Sequence, residues 1–335
     1  MTRNIFLLLL AIIFQTNMCC ADILSTNTGE QAMIKSLRLA INEDSFLKSQ
    51  EIIIGAGISG CEVFTITAKP RQTNILLVWQ WLDEMKNLAE GTVVVLPEHA
   101  IDKNFNSIRQ KIKLITINGV LHTRTMNNIT KENSKLIKQN TDMIVMLAGD
   151  TQQADGTWVL YTEKMAKELI EKLPSNINII FLNGPRTGKH KMVNGIAIAS
   201  ETAHRVTIDE VTQFLIDTSA TKKSWQVIDF KFGQDSLWGP ALKFCLERPE
   251  TIMVLPGEST SMISEALTLG IRPVIYKHKA MTKTSKRYVD ELVKSKKVVV
   301  FPTLTEEGHR MQEPLETQEK KIIKDLSYII KKTLN

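Results

Sequence analysis

The chain has 335 residues, with 42 Lys and Arg against 36 Asp and Glu, 43% hydrophobic residues and a formal net charge of +6. That balance excludes collagen, coiled coil and an acidic disordered chain, and the length is enough for two domains with sizeable cores. Four cysteines, with Cys19 and Cys20 adjacent and Cys61 and Cys245 far apart, exclude a disulfide scaffold, a zinc knuckle and a redox Cys-x-x-Cys pair.

At the start, Arg3, the ten apolar residues from Ile5 to Phe14 and the small run Cys19-Cys20-Ala21 read as a secretory signal over residues 1–21. A spanning helix needs about 20 apolar residues, so this run is short for an anchor. The expected location is therefore export (secreted or periplasmic) or membrane association.

From there the chain repeats short aliphatic runs, each ending in Gly, Pro or Asn and followed by helical spacing, the signature of βαβ units. The expected strands are Asp22–Ser25, Glu51–Ile54, Asn74–Trp79, Gly91–Leu96, Lys113–Asn118, Asp142–Leu147, Asn178–Leu182, Gly195–Ala199, Trp225–Phe230, Thr251–Leu255, Val274–Tyr276 and Lys297–Phe301. Their hydrophobicity is continuous rather than alternating, which implies parallel strands covered by helices, most of them buried on both faces. Twelve are too many for one sheet, so the expected fold class is α/β, with two Rossmann-like doubly wound domains. The polar stretch Met126–Thr141 is the expected border, dividing residues 22–140 from 141–315. Over Lys320–Leu334, Ile322, Ile323, Leu326, Ile329 and Ile330 recur at helical spacing, so residues 316–335 should form an amphipathic helix.

Three glycine turns are candidates for a site. Gly55-Ala-Gly57-Ile-Ser-Gly60 spells a dinucleotide fingerprint, yet the next strand ends in Gln80 and Trp81 instead of a ribose-binding acid. Flavin or nicotinamide binding is thus an unfavoured alternative. Gly184-Pro-Arg-Thr-Gly188-Lys189-His190 resembles a Walker A loop, but it is one residue short and lacks the hydroxyl that would hold magnesium. What remains there is Arg186 and Thr187 at the end of a strand, placed to meet an anion.

The third turn is richer. In Thr251 to Pro273 a strand ends at Gly257, the hydroxyls Ser259, Thr260 and Ser261 follow, a helix is capped near Ser261, and Gly270 ends it. Gly257 is expected to allow a sharp bend. Glu265, one turn into the helix, would accept hydrogen bonds from ribose hydroxyls while the helix start holds a diphosphate.

With these residues in view, the unit resembles the donor-nucleotide segment of GT-B glycosyltransferases. The chain as a whole resembles the elongated-mitochondria fission protein family and its bacterial glycosyltransferase-like relatives. The matching blocks, in order, are Thr28-Gly29-Glu30-Gln31, Gly55-Ala-Gly57, Pro97-Glu98-His99, Ile117 to His122, Leu147-Ala-Gly149-Asp150, Arg186-Thr187, and Gly257 to Gly270. The resemblance implies two domains facing across a cleft, with an acceptor at the N-terminal loops (Gly29, Gln31, Gly55, Gly57) and the nucleotide on the C-terminal domain. It also implies a last helix that crosses back to the first domain. Three departures stand out: Gly184-Pro185 replaces part of a basic run, Glu258 stands where an Asp is usual, and Ala100 replaces an acid.

The activity so implied moves a sugar from a nucleotide-sugar donor, a substrate and not a cofactor, to a cell-envelope, glycan or lipid-linked acceptor. His99, Glu98 and His122 are the candidate bases. No Asp-x-Asp occurs in the sequence, so no metal held that way is expected. Residues 276–297 carry a net charge of +6, suited to phosphates, anionic headgroups or peripheral membrane contact, whereas nucleic acid is not expected. A cytosolic donor conflicts with an export signal, which leaves a non-catalytic binding or adaptor protein on the same fold as the other reading.

Overall fold

A computed structural model of the chain describes residues 28–65, 72–122, 124, 126–153, 156–188, 190–193, 196–199, 208–231, 236–304 and 318–334. The signal-like segment and the expected strand Asp22–Ser25 lie outside them. The chain forms two compact units, residues 1–123 with 317–335, and residues 124–316.

In the first unit, helix α1 (Thr28–Glu43) precedes strand β1 (Glu51–Ala56), the short helix α2 (Gly57–Val63) and strands β2 (Gln72–Leu77), β3 (Val93–Pro97) and β4 (Lys113–Ile117). The strands pair in parallel in the order β1-β2-β3-β4. Alternate residues serve opposite faces. Ile52, Ile54, Ile75, Leu77, Val93, Val95, Ile115 and Ile117 pack with α1 and the C-terminal helix Gln318–Leu334. Ile53, Leu76, Val94 and Leu96 pack on the other side with Cys61 and Phe64. The C-terminal helix buries Ile322, Leu326 and Ile330, and Gln318 accepts the Asn118 backbone N–H at 2.8 Å.

The second unit begins with helix α3 (Met126–Ile129) and strands β5 (Met143–Met146), β6 (Thr151–Gln152) and β7 (Trp158–Val159). Helix α4 (Glu163–Ile170), strands β8 (Ile179–Leu182), β9 (His190–Val193) and β10 (Ile196–Ala199), helix α5 (Glu210–Ala220) and strand β11 (Trp225–Ile228) follow. It ends with helix α6 (Trp238–Glu247), strand β12 (Ile252–Pro256), helix α7 (Thr260–Thr268), strand β13 (Val274–Tyr276), helix α8 (Lys283–Lys294) and strand β14 (Val299–Val300). Six strands make one parallel sheet in the order β11-β8-β5-β12-β13-β14.

Two expectations are corrected. The division falls at 123/124 rather than 140/141, because Ile129 and Ile137 are buried in the second unit's core and the Lys243 ammonium donates to the Thr130 and Glu132 carbonyls. Gly195–Ala199 does not join the parallel sheet: β10 folds back antiparallel on β9 as a two-stranded hairpin. Among the described residues no helix is long and apolar enough to cross a membrane.

Candidate functional site

From β5 the chain builds β8 and β11 on one side, then returns to lay β12, β13 and β14 on the other. The order reverses between β5 and β12, which pair directly, Val254 opposite Val145. The first connection on each side leaves for a different face: α4 packs Ala166 and Leu169 on one, and α7 packs Ile263 and Ala266 on the other. Open α/β sheets bind ligands outside the carboxyl ends of the strands at such a reversal.

The β12–α7 bend lies at this point. Its first glycine is needed for space rather than for a special φ: a β-carbon at Gly257 would collide with the Met281 side chain, and Gly257 is not among the positive-φ glycines. Glu258 turns inward and is buried, accepting the Gly149 N–H at 2.8 Å through Oε1 and contacting His278 Nε2 at 2.6 Å through Oε2. The inner side of the bend is therefore filled by the chain itself. Its outer side is not. Helix α7 starts at Thr260, with Ser259 as an N-cap that makes no side-chain capping bond, and Ser261 is exposed. The cap expected near Ser261 falls at Ser259, the first of the three hydroxyl residues. At the other end Gly270 has φ 80°, Ile271 N–H donates to Ala266 O at 2.9 Å and Gly270 N–H to Leu267 O at 3.0 Å, a Schellman closure.

Glu265 is one turn into α7, but it is held from within. Its Oε2 accepts Trp238 Nε1–H at 2.6 Å and lies 3.6 Å from Arg124 Nε, while 15% of the side chain stays exposed. Burial raises its pKa above the usual carboxylate value, offset in part by Trp238 and Arg124. Arg124 also pairs with Glu132, whose carboxylate sits where a β-carbon on Gly239 would fall.

Across the reversal, Arg186 is exposed in the loop after β8, whereas the Thr187 hydroxyl is buried and accepts the Gly184 N–H at 3.1 Å. Arg186 is thus available to an anion, while Thr187 closes the turn. The same loop meets the one after β5: Asp150 N–H donates to Arg186 O at 2.9 Å, and a β-carbon on Gly149 would collide with that of Arg186. Asp150 is fully buried and accepts from Tyr161 N–H at 2.8 Å and His190 N–H at 2.9 Å, with His190 Nδ1 at 3.0 Å.

The residues expected on the acceptor side lie in the first unit. Gly29 and Gln31 fall in the first turn of α1 rather than in a loop, and Gln31 is exposed. Gly55 lies against Gly60 and Phe64, and Gly57 has φ 57° with the Glu30 carboxylate where a β-carbon would be. These glycines serve close packing. A carboxylate over Gly57 opposes a pyrophosphate there, which removes support from the dinucleotide alternative. Glu98 and His99 form a short 3-10 turn after β3, Glu98 exposed and His99 buried. His122 is buried in the loop after β4, the strand next to β3.

Sequence reading missed Arg124, Trp238, His278 and the Asp150–His190 pair. Each joins another residue only through tertiary contact, and a single-sequence pattern carries no signal for that. Among the described residues no group of three or more His, Cys, Asp or Glu could hold a metal ion.

No protein-family model and no curated protein matches the chain. Similar solved structures include plant UDP-glycosyltransferases. Apo UGT2 of Phytolacca americana has a TM-score of 0.41 at 10% identity, covering 90% of this chain and 75% of that one. Arabidopsis thaliana UGT89C1 complexed with quercetin gives 0.36 at 12% identity, covering 89% and 68%, and the same protein complexed with UDP gives 0.33 at 10%, covering 90% and 80%.

Proposed function

We propose that the chain is a glycosyltransferase that binds a nucleoside-diphosphate sugar on its second unit and passes the sugar to a cell-envelope or glycan acceptor. One observation carries the reading. At the strand-order reversal, α7 presents a start without a side-chain cap beside exposed Ser261, with the Glu265 carboxylate one turn further along. Thr260 N–H is held by Glu258 O, but the Ser261 and Met262 N–H groups that follow, together with the helix dipole, favour a diphosphate, and a carboxylate one turn on suits ribose hydroxyls. The Arg186 guanidinium would add charge for the departing diphosphate. Exposed Lys277, Lys279, Lys283 and Lys286 would draw a phosphorylated or membrane-bound acceptor to the same unit. Because the donor is cytosolic, this reading places the protein on the cytoplasmic side.

Calorimetry with nucleoside diphosphates and their sugars tests it. Binding is expected, and Glu265→Gln should weaken it by roughly 1.5–3 kcal/mol if charged hydrogen bonds to the ribose are lost. No binding at millimolar concentration overturns the proposal.

A second reading, a binding protein without catalysis, is favoured by one feature. Glu258, His278 and Met281 fill the inner side of the bend, where a larger donor would need room. Binding of the diphosphate without turnover of any sugar donor would select it.

A further inference from the structure

The second unit has a crevice that takes no part in the proposed nucleotide site. It lies where β5, β8 and β11 begin, at the end of the sheet opposite the β12–α7 bend, and Lys138, Asn140, Ile180, Lys223, Ser224 and Gln226 are among the residues that line it. Its volume is about 50 Å³. One water needs roughly 10–15 Å³ of such space, so a group of several heavy atoms fits.

Gln226 stands where the sheet calls for an aliphatic side chain. It pairs with Ile180, and Ile180 pairs with Ile144, both of them buried in the core that also takes Ile137. Side chains at paired positions of neighbouring strands share a face. The Gln226 Oε1 is buried and has no hydrogen-bond partner among the described residues. An acceptor buried without a donor destabilises a fold, so packing alone gives no reason for an amide here, whereas a donor brought by a ligand does. Trp225, which also lines the crevice, adds a buried Nε1–H that is likewise without a partner among the described residues.

The charge around the crevice is one-sided. Lys138 and Lys223 are exposed, neither has an ion-pair partner among the described residues, and no Asp or Glu lines the space. The adjoining Asp142 is engaged with Asn178, accepting its backbone N–H at 2.8 Å and its side-chain amide at 2.9 Å. A third cation, Lys222, stands 5.6 Å from the centre of the Trp225 ring. Paired ammonium groups without a counter-charge suit a doubly charged anion such as a phosphate monoester.

We propose that this crevice binds a small phosphate monoester that carries a hydroxyl group. The phosphate oxygens pair with Lys138 and Lys223, and the hydroxyl donates to Gln226 Oε1. The length of the strands separates this site from the β12–α7 bend, so it stands or falls independently of the transferase reading.

Titration of the full-length protein with glycerol phosphate tests it, followed by NMR of the indole N–H signals, with that of Trp225 assigned through Trp225→Phe. The Trp225 signal is expected to shift saturably at millimolar concentration, glycerol alone to leave it in place, and inorganic phosphate to bind about tenfold more weakly. Lys138→Ala combined with Lys223→Ala should weaken glycerol phosphate by at least about tenfold. Gln226→Leu should bring glycerol phosphate down to the affinity of inorganic phosphate while raising the melting temperature. Saturating UDP should change none of these affinities. A Trp225 signal that does not respond, equal affinity in the double lysine variant, or displacement by UDP overturns the site. A lower melting temperature in Gln226→Leu would show that the amide serves the fold, and overturns the assignment of the hydroxyl.

Discussion

Glu258 brings a negative charge to the bend that is proposed to receive a diphosphate, and like charges brought together in a partly dry site repel strongly. Glu258→Gln keeps an acceptor for the Gly149 N–H and removes that charge. Its affinity for nucleoside diphosphates, read by calorimetry, should rise by about tenfold, equivalent to about 1.4 kcal/mol; an unchanged or lower affinity would mean that Glu258 does not oppose the ligand. Glu265 makes a second prediction, about pH. The folded protein raises its pKa through burial, so in the window between the ordinary value of about 4.3 and the folded value the native state binds more protons than the unfolded one. Stability contributed at this position therefore falls as pH rises through that window. Compared with Glu265→Gln, the unaltered protein should lose ground in melting temperature as buffers move from acidic to neutral, and a gap that stays constant would refute the assignment. At this scale the sequence showed Gly257, Ser261 and Glu265 to lie together, because they share one short segment. The Trp238 and Arg124 contacts were not legible, since residues 124, 238 and 265 are brought together only by the folding of α6 and α7 around the core.

Helix α7 illustrates what an element's own sequence decides. Its end was legible at Gly270, because a C′ position at φ 80° suits only glycine at low cost. Gly270→Ala should destabilise the second unit by about 1 kcal/mol, measured by denaturant unfolding, while the helix itself persists. Its start was not legible. Three hydroxyl residues in a row, Ser259, Thr260 and Ser261, are all good caps, and the choice was made by the inward turn of Glu258 toward Gly149 and His278. Strand β10 shows the converse. Its aliphatic run gave the strand but not its partner, for periodicity says nothing about direction, and β9 before it, with His190 and Lys191, has no such run. Residues 126–141 were misjudged for a similar reason. Their average is polar, yet Ile129 and Ile137, 1% exposed each, together with the Lys243 hydrogen bonds to Thr130 and Glu132, tie the segment to the second unit.

The first unit is assembled from both ends of the described chain, and its sheet is covered on one face by α1 and the C-terminal helix together. Ile322 and Leu326 are fully buried there. Each such side chain is worth about 2–5 kcal/mol against truncation to alanine. A protein ending at residue 317 should consequently gain protease-sensitive sites within residues 28–122, mapped by mass spectrometry, and none in 124–304. Equal protection of both segments would show that the helix adds nothing to that core.

The discontinuous first unit also orders events during synthesis. A ribosome releases residues 124–304, with all six strands of the larger sheet, before it has made the helix that seals the smaller one. The part proposed to hold the nucleotide is therefore ready to mature early, while β1 to β4 wait with one greasy flank covered by α1 alone until the helix Gln318–Leu334 has been made.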